Sequence, residues 1–195
     1  MRIWLATHNP GKVKEFRSLL HWPGVELLPA PADAPEAPET GETFEANACE
    51  KAVLLARTYG GWAMADDSGL EVDALGGAPG VRSARYGGEG TTSLENNALL
   101  LQNLSGAANR RARFVCVLAL SDREGRTTFA RGTCEGTIGF ERKGAAGFGY
   151  DPLFTPLGET RTFGEMTETE KSRYSHRAQA ILAARGPFLE RLGLA

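Results

Sequence analysis

Two long strand-like stretches, Arg113 to Ser121 and Arg126 to Thr137, are separated only by the four residues Asp122 to Gly125. Such runs around a short acidic, glycine-ended turn read as a β-hairpin. A hairpin this long has to sit inside a sheet, so the rest of the chain must supply further strands and cover their faces. Arg2 to Thr7 is a short run, apolar on both faces, and reads as a central strand. Asn9 then caps a helix with Pro10 in its first turn and Val13, Phe16, Leu19 and Leu20 at helical spacing. Val25 to Leu28 reads as a second strand. Pro29 to Glu42 carries four prolines and four acidic residues and reads as a loop that cannot join a central sheet. Thr43 caps a long helix that ends at Gly60-Gly61. Trp62 to Ala65 reads as a strand, and Asp66 to Gly90 as a long glycine-rich stretch with little room for regular structure.

Downstream, Ser93 is expected to cap a helix running to Leu104. Gly139 to Gly149 reads as a loop, Asp151 to Phe154 begins a short extended piece, and Thr162 to Tyr174 reads as one or two helical turns. Ser175 caps a last helix, with Gly186-Pro187 expected to kink it. The order of elements predicts an α/β fold: a mixed central sheet with the long hairpin, helices on its faces, and two lobes flanking an active-site cleft. No repeat or linker divides the chain, so residues 1–195 are read as a single domain.

Composition narrows the function. The 22 basic and 24 acidic residues leave a net charge of −2, which removes the electrostatic case for a nucleic-acid polymer as partner. Cys49, Cys116 and Cys134 form no CxxC pair and do not suggest a disulfide framework. The longest apolar run, Val115 to Leu120, is far short of the ~18 residues of a bilayer span, and the N-terminus lacks a signal-peptide apolar core. The chain is therefore read as soluble, cytoplasmic and without a membrane partner. Glycine stands out, with 24 of 195 residues against a usual share of about 7%.

Five segments carry candidate chemistry. Thr7-His8-Asn9-Pro10-Gly11-Lys12 joins a strand to a helix N-terminus, where backbone N–H groups and a lysine suit phosphate; it is not a P-loop. Glu39 precedes a helix bearing Asn47 and Lys51, and Lys51 lies off that helix's apolar face, where an isolated lysine would be solvated. Asp66-Asp67-Ser68-Gly69 follows a strand, and ligands gather at strand ends in open α/β sheets. Paired carboxylates there suit Mg²⁺, or the orientation and deprotonation of a water. In Phe148-Gly149-Tyr150-Asp151, with Gly147 ahead of it, glycines flank an aromatic ring and allow a flat ligand to stack. Lys171, then Ser175-His176-Arg177, can face one site if the helix breaks at Ser175.

Taken together, ATHNPGK, ETGETFEANA, ADDSGLEVDALGGAPGVRSARY, GFGYDP and EKSRYSHR resemble the inosine triphosphate pyrophosphatase family, on its bacterial dITP/XTP-cleaving side, from about residue 4 to residue 185. The resemblance implies cleavage of non-standard purine nucleoside triphosphates (dITP, ITP, XTP, dXTP) to the monophosphate and pyrophosphate. It implies a homodimer, Mg²⁺ as cofactor, and a small nucleoside triphosphate as substrate. Residues 7 to 12 would line the triphosphate site; Glu39 and Asp67, with Asp66 close by, would hold Mg²⁺. Asp67 would be the proton acceptor, and Ser68 would touch substrate. Lys51 would add charge at the triphosphate. Phe148 to Asp151 would hold base and sugar, Lys171 would add a polar contact, and His176 and Arg177 would meet the purine 6-keto edge or the phosphate end. His8 departs from the glycine common in relatives, and the loop 141–146 lacks a proline often found there. A pyrophosphatase for other modified bases and a non-catalytic nucleotide-binding regulator are the alternative readings.

Overall fold

A computed structural model describes all 195 residues. Six strands form one sheet in the order β2-β1-β3-β4-β5-β6. They are β1 (Arg2–Leu5), β2 (Glu26–Pro29), β3 (Trp62–Val72), β4 (Arg111–Ser121), β5 (Thr127–Ile138) and β6 (Phe154–Pro156). β1 runs parallel to both β2 and β3, with Ile3 opposite Leu27 and Trp62, while β5 and β6 are antiparallel. The sheet is thus mixed and the expected α/β class holds. β2 takes the edge, which is where a strand ending in Pro29 can lie without costing a ladder bond.

Five α-helices accompany the sheet: α1 (Pro10–Leu19), α2 (Phe44–Tyr59), α3 (Ser93–Asn103), α4 (Glu168–Lys171) and α5 (His176–Arg191). Several caps are those expected. The Asn9 side chain accepts from the Gly11 and Lys12 N–H groups, Thr43 accepts from Ala46 N–H, and Ser175 accepts from Ala178 N–H. The cap of α3 is Thr92, not Ser93. Its hydroxyl and Glu95 form a reciprocal capping box, which a lone Ser93 cannot provide. α5 runs on through Pro187 to Arg191.

The largest correction concerns β3. The strand does not stop at Ala65 but continues through Asp66, Asp67 and Ser68 to Val72. Asp and Gly are poor strand formers, so propensity alone ends it early. The ladder is instead retained by burial on both sides and by cations that meet the two carboxylates.

The chain divides into two compact units. The first comprises Met1–Asp67, Cys116–Gly132 and Gln179–Ala195. Its core joins Ile3, Leu5, Phe16, Met64, Leu118, Leu120, Ala184 and Phe188. The second comprises Ser68–Val115 and Thr133–Ala178. Its core holds Leu70, Leu100, Leu104, Phe114, Leu153, Phe154 and Phe163. Leu100 is fully buried there. All three cysteines are free thiols. No helix is long and apolar enough to cross a membrane.

Candidate active site

Alternation along β3 decides what the paired aspartates do. Successive strand side chains point to opposite faces, and each carboxylate meets its own lysine. Asp66 Oδ2 lies 3.1 Å from Lys12 Nζ, and Asp67 Oδ1 accepts from Lys51 Nζ at 3.0 Å. Asp66 is 1% and Asp67 7% exposed. They are therefore buried strand residues, not the acidic turn that their adjacency suggests.

Lys51 is the centre of the first unit's polar cluster. Its ammonium also donates to Glu39 Oε1 at 2.9 Å, so one cation bridges two carboxylates. Lys51 is not the solvated lysine it would be in isolation, because α2 turns this position onto β3 and the loop before it. Burial works against the charge of Lys51, but Asp67, Asp66 and Glu39 outweigh it and hold its pKa above the ordinary value. Asp67 is also shifted upward, but for a different reason: burial raises its pKa, against the pull of Lys51, Asn47 and Lys12. Glu39 has φ +48°, the sole non-glycine residue with positive φ. Such backbone is costly and is kept where the surroundings impose it, commonly at functional sites.

The strand–helix turn presents a more closed face than a bare helix N-terminus. Asn9 Oδ1 takes the Gly11 and Lys12 N–H groups at 2.9 and 3.3 Å, and Thr7 Oγ1 takes Asn9 N–H at 3.2 Å. His8 lies outside this cap; its ring nitrogens meet Glu36 Oε1 at 2.9 Å and Pro31 O at 3.1 Å. The Glu36 hydrogen bond is the main reason its pKa is raised.

In the second unit, Asp151 organises the loop that carries Phe148. Its Oδ2 accepts from Phe148 N–H at 2.8 Å and from Lys171 Nζ at 2.7 Å. Gly147, at φ +74°, stands so close that a Cβ there would run into that carboxylate, so only glycine fits. Lys171 Nζ lies 4.8 Å from the Phe148 ring centroid, in cation–π range. Phe148 remains 39% exposed, an apolar face open to a flat ligand. Tyr150 is different: it is buried, and its hydroxyl donates to Ser83 O at 2.9 Å, so it supports the loop from within.

Arg177 is fully buried, at 0% exposure, and donates to Ser68 Oγ at 3.1 Å. It occupies the second position of α5, where the helix dipole disfavours a cation. Neighbouring His176 stacks on Phe114, with ring centroids 4.8 Å apart and planes at 15°.

Two buried amides to which the sequence assigns no role take part. Asn97 on α3 donates to Gly149 O at 2.9 Å and so anchors the Phe148 loop. Asn47 on α2 bonds Asp67 Oδ2 at 3.1 Å. The available signal for Asn47 was its place four residues before Lys51, hence on the same helix face.

No group of three or more His, Cys, Asp or Glu residues forms a metal cluster. Asp66 Oδ2 lies on Lys12, while Glu39 and Asp67 form a carboxylate pair on Lys51. Their donor chemistry fits Mg²⁺, which takes one or two carboxylates and completes its shell with water and substrate phosphates. The Lys51 ammonium already shows that this pair accepts a cation.

Comparison with known proteins defines the class. Residues 3–186 match the Ham1 family. The Ham1 protein of Staphylococcus aureus superposes with a TM-score of 0.87 at 37% identity, over 98% of this chain and 100% of its own. A HAM1 protein from Coxiella burnetii gives 0.90 at 37% identity, over 97% and 99%. This chain belongs to the Ham1 family. Within it, the chain is 53% identical to the dITP/XTP pyrophosphatase of an Exiguobacterium species, over 93% of each chain.

Proposed function

We propose that this protein hydrolyses dITP, ITP, XTP and dXTP at the α–β anhydride, releasing the nucleoside monophosphate and pyrophosphate and so clearing non-standard purines from the nucleotide pool. The observation that carries the reading is Asp67: a buried carboxylate of raised pKa, gripped from two sides by Lys51 and Asn47. A carboxylate so held can orient a water and take its proton. Lys12 and Lys51 supply the positive charge that phosphoryl transfer requires. Phe148 offers its face to the purine. His176 and Arg177 are the donors for a 6-oxo edge, and a site with a donor there leaves it unpaired against the 6-amino group of adenine.

Glu39 and Asp67, with Asp66 close by, would hold Mg²⁺. When bound, the ion would neutralise phosphate charge as the anhydride breaks. Excess chelator is accordingly expected to abolish turnover, and added Mg²⁺ to restore it; turnover persisting in chelator would remove the metal from the reaction. The protein is further read as cytoplasmic and homodimeric, with light scattering as the check on assembly.

The deciding experiment offers dITP, XTP, dATP and dGTP with separate detection of pyrophosphate and orthophosphate. Pyrophosphate from dITP and XTP, with little from dATP, is expected. Orthophosphate as the first product would overturn the reaction assignment.

A further inference from the structure

We infer that Asn47 is the positioning residue of this site, setting the plane of the Asp67 carboxylate and coupling it to the loop that carries Glu39. The inference rests on the proposed function for the roles of Asp67 and Glu39. Its geometric basis is independent of it.

Asn47 is 1% exposed, and both ends of its amide are used. Nδ2 donates to Asp67 Oδ2 at 3.1 Å, and Oδ1 accepts from Gly41 N–H at 2.8 Å. The orientation of the amide follows from its partners, since an ionised carboxylate can only accept and a backbone N–H can only donate. Asn47 and Lys51 lie four residues apart on α2, so one helix face offers an amide donor to Oδ2 and an ammonium to Oδ1. Two donors on the two oxygens fix the carboxylate's rotation as well as its position.

The other end of the amide holds a different segment. Gly41 is two residues after Glu39, whose positive φ marks an imposed backbone. A Cβ on Gly41 would lie 2.7 Å from Asn47 Oδ1 and 2.8 Å from the Ala46 Cβ. The loop therefore approaches α2 as closely as it does because residue 41 has no side chain. Through this single amide, the segment bearing Glu39 and the strand bearing Asp67 are held in one register, with Glu39 Oε1 and Asp67 Oδ1 both on Lys51. Residues that orient carboxylate ligands from behind typically carry about 10- to 100-fold of metal affinity or activity.

The test uses the nucleotide-free protein and Mn²⁺, followed by electron paramagnetic resonance, alongside dITP kinetics on the same preparations. Asn47→Ala is expected to weaken Mn²⁺ binding by about tenfold or more, and to lower kcat far more than it changes KM. Gly41→Ala, which leaves the Asn47 side chain in place but pushes the loop off it, is expected to do the same. Circular dichroism establishes that each variant is folded; if Asn47→Ala is not, Gly41→Ala decides. A folded variant with Mn²⁺ affinity and kcat within about twofold of wild type, well short of the loss expected when such a residue is removed, would overturn the inference, as would a change in KM alone. A wild-type protein that binds no Mn²⁺ would also overturn it, while pyrophosphate release from dITP on that preparation reports separately on the proposed reaction.

Discussion

Asp67→Asn is expected to lower kcat for dITP by about 10²- to 10⁴-fold, the usual worth of a positioned general base, without loss of the fold. The substituted amide keeps an oxygen for Lys51 or for the Asn47 amide but cannot take a proton. Stability should change little. Burial holds the pKa of Asp67 above its unfolded value, so folding disfavours the ionised form. Its contribution to stability is therefore greatest below the unfolded pKa and declines as pH rises from that value through the folded one. At neutral pH the uncharged amide of the variant avoids this cost, while Lys51 loses one counter-ion and keeps Glu39, so the variant should melt near the wild-type temperature. Near-normal turnover would remove Asp67 from its role, and a much lower melting temperature would show that the charge serves the fold.

Lys171→Met should be the most destabilising single change at the second cluster. Its ammonium and the Asp151 carboxylate form an ion pair at 2.7 Å with side chains 7% and 3% exposed. Removing one partner of a buried pair strands the other, at a cost of about 3–5 kcal/mol. For a chain of this size that lowers the melting temperature by about 6–20 °C. Asp151 would keep its bond to Phe148 N–H but lose the ammonium that balances its charge. Lys171→Met combined with Asp151→Asn removes both charges of the pair, so the double variant should melt above Lys171→Met alone. Equal melting temperatures would show that lost packing, and not the stranded carboxylate, is the source of the damage.

These two outcomes bear on residues that the chain discloses unevenly. The helix starts at Asn9, Thr43 and Ser175 were legible because a cap is a local bond between neighbours in sequence. The hairpin of β4 and β5 was legible for the same reason, since its turn is short. The extent of β3 was not. Asp66 and Asp67 argue against a strand by propensity, and only Lys12 and Lys51, distant in sequence, make their burial tolerable. Asn47 was visible as a residue on α2, but its bond to Asp67 spans 20 positions and leaves no local pattern.

Motif order and the alternation of apolar runs already specified the α/β class, the caps and the family resemblance. Each of these depends on near neighbours or on residue identity. Which oxygen of Asp67 meets the lysine and which the amide, the assignment of Asp66 to Lys12, the burial of Arg177 and the exposure of Phe148 came from the folded chain alone. These are long-range pairings, and their energies depend on distance and desolvation, neither of which is written in the order of residues.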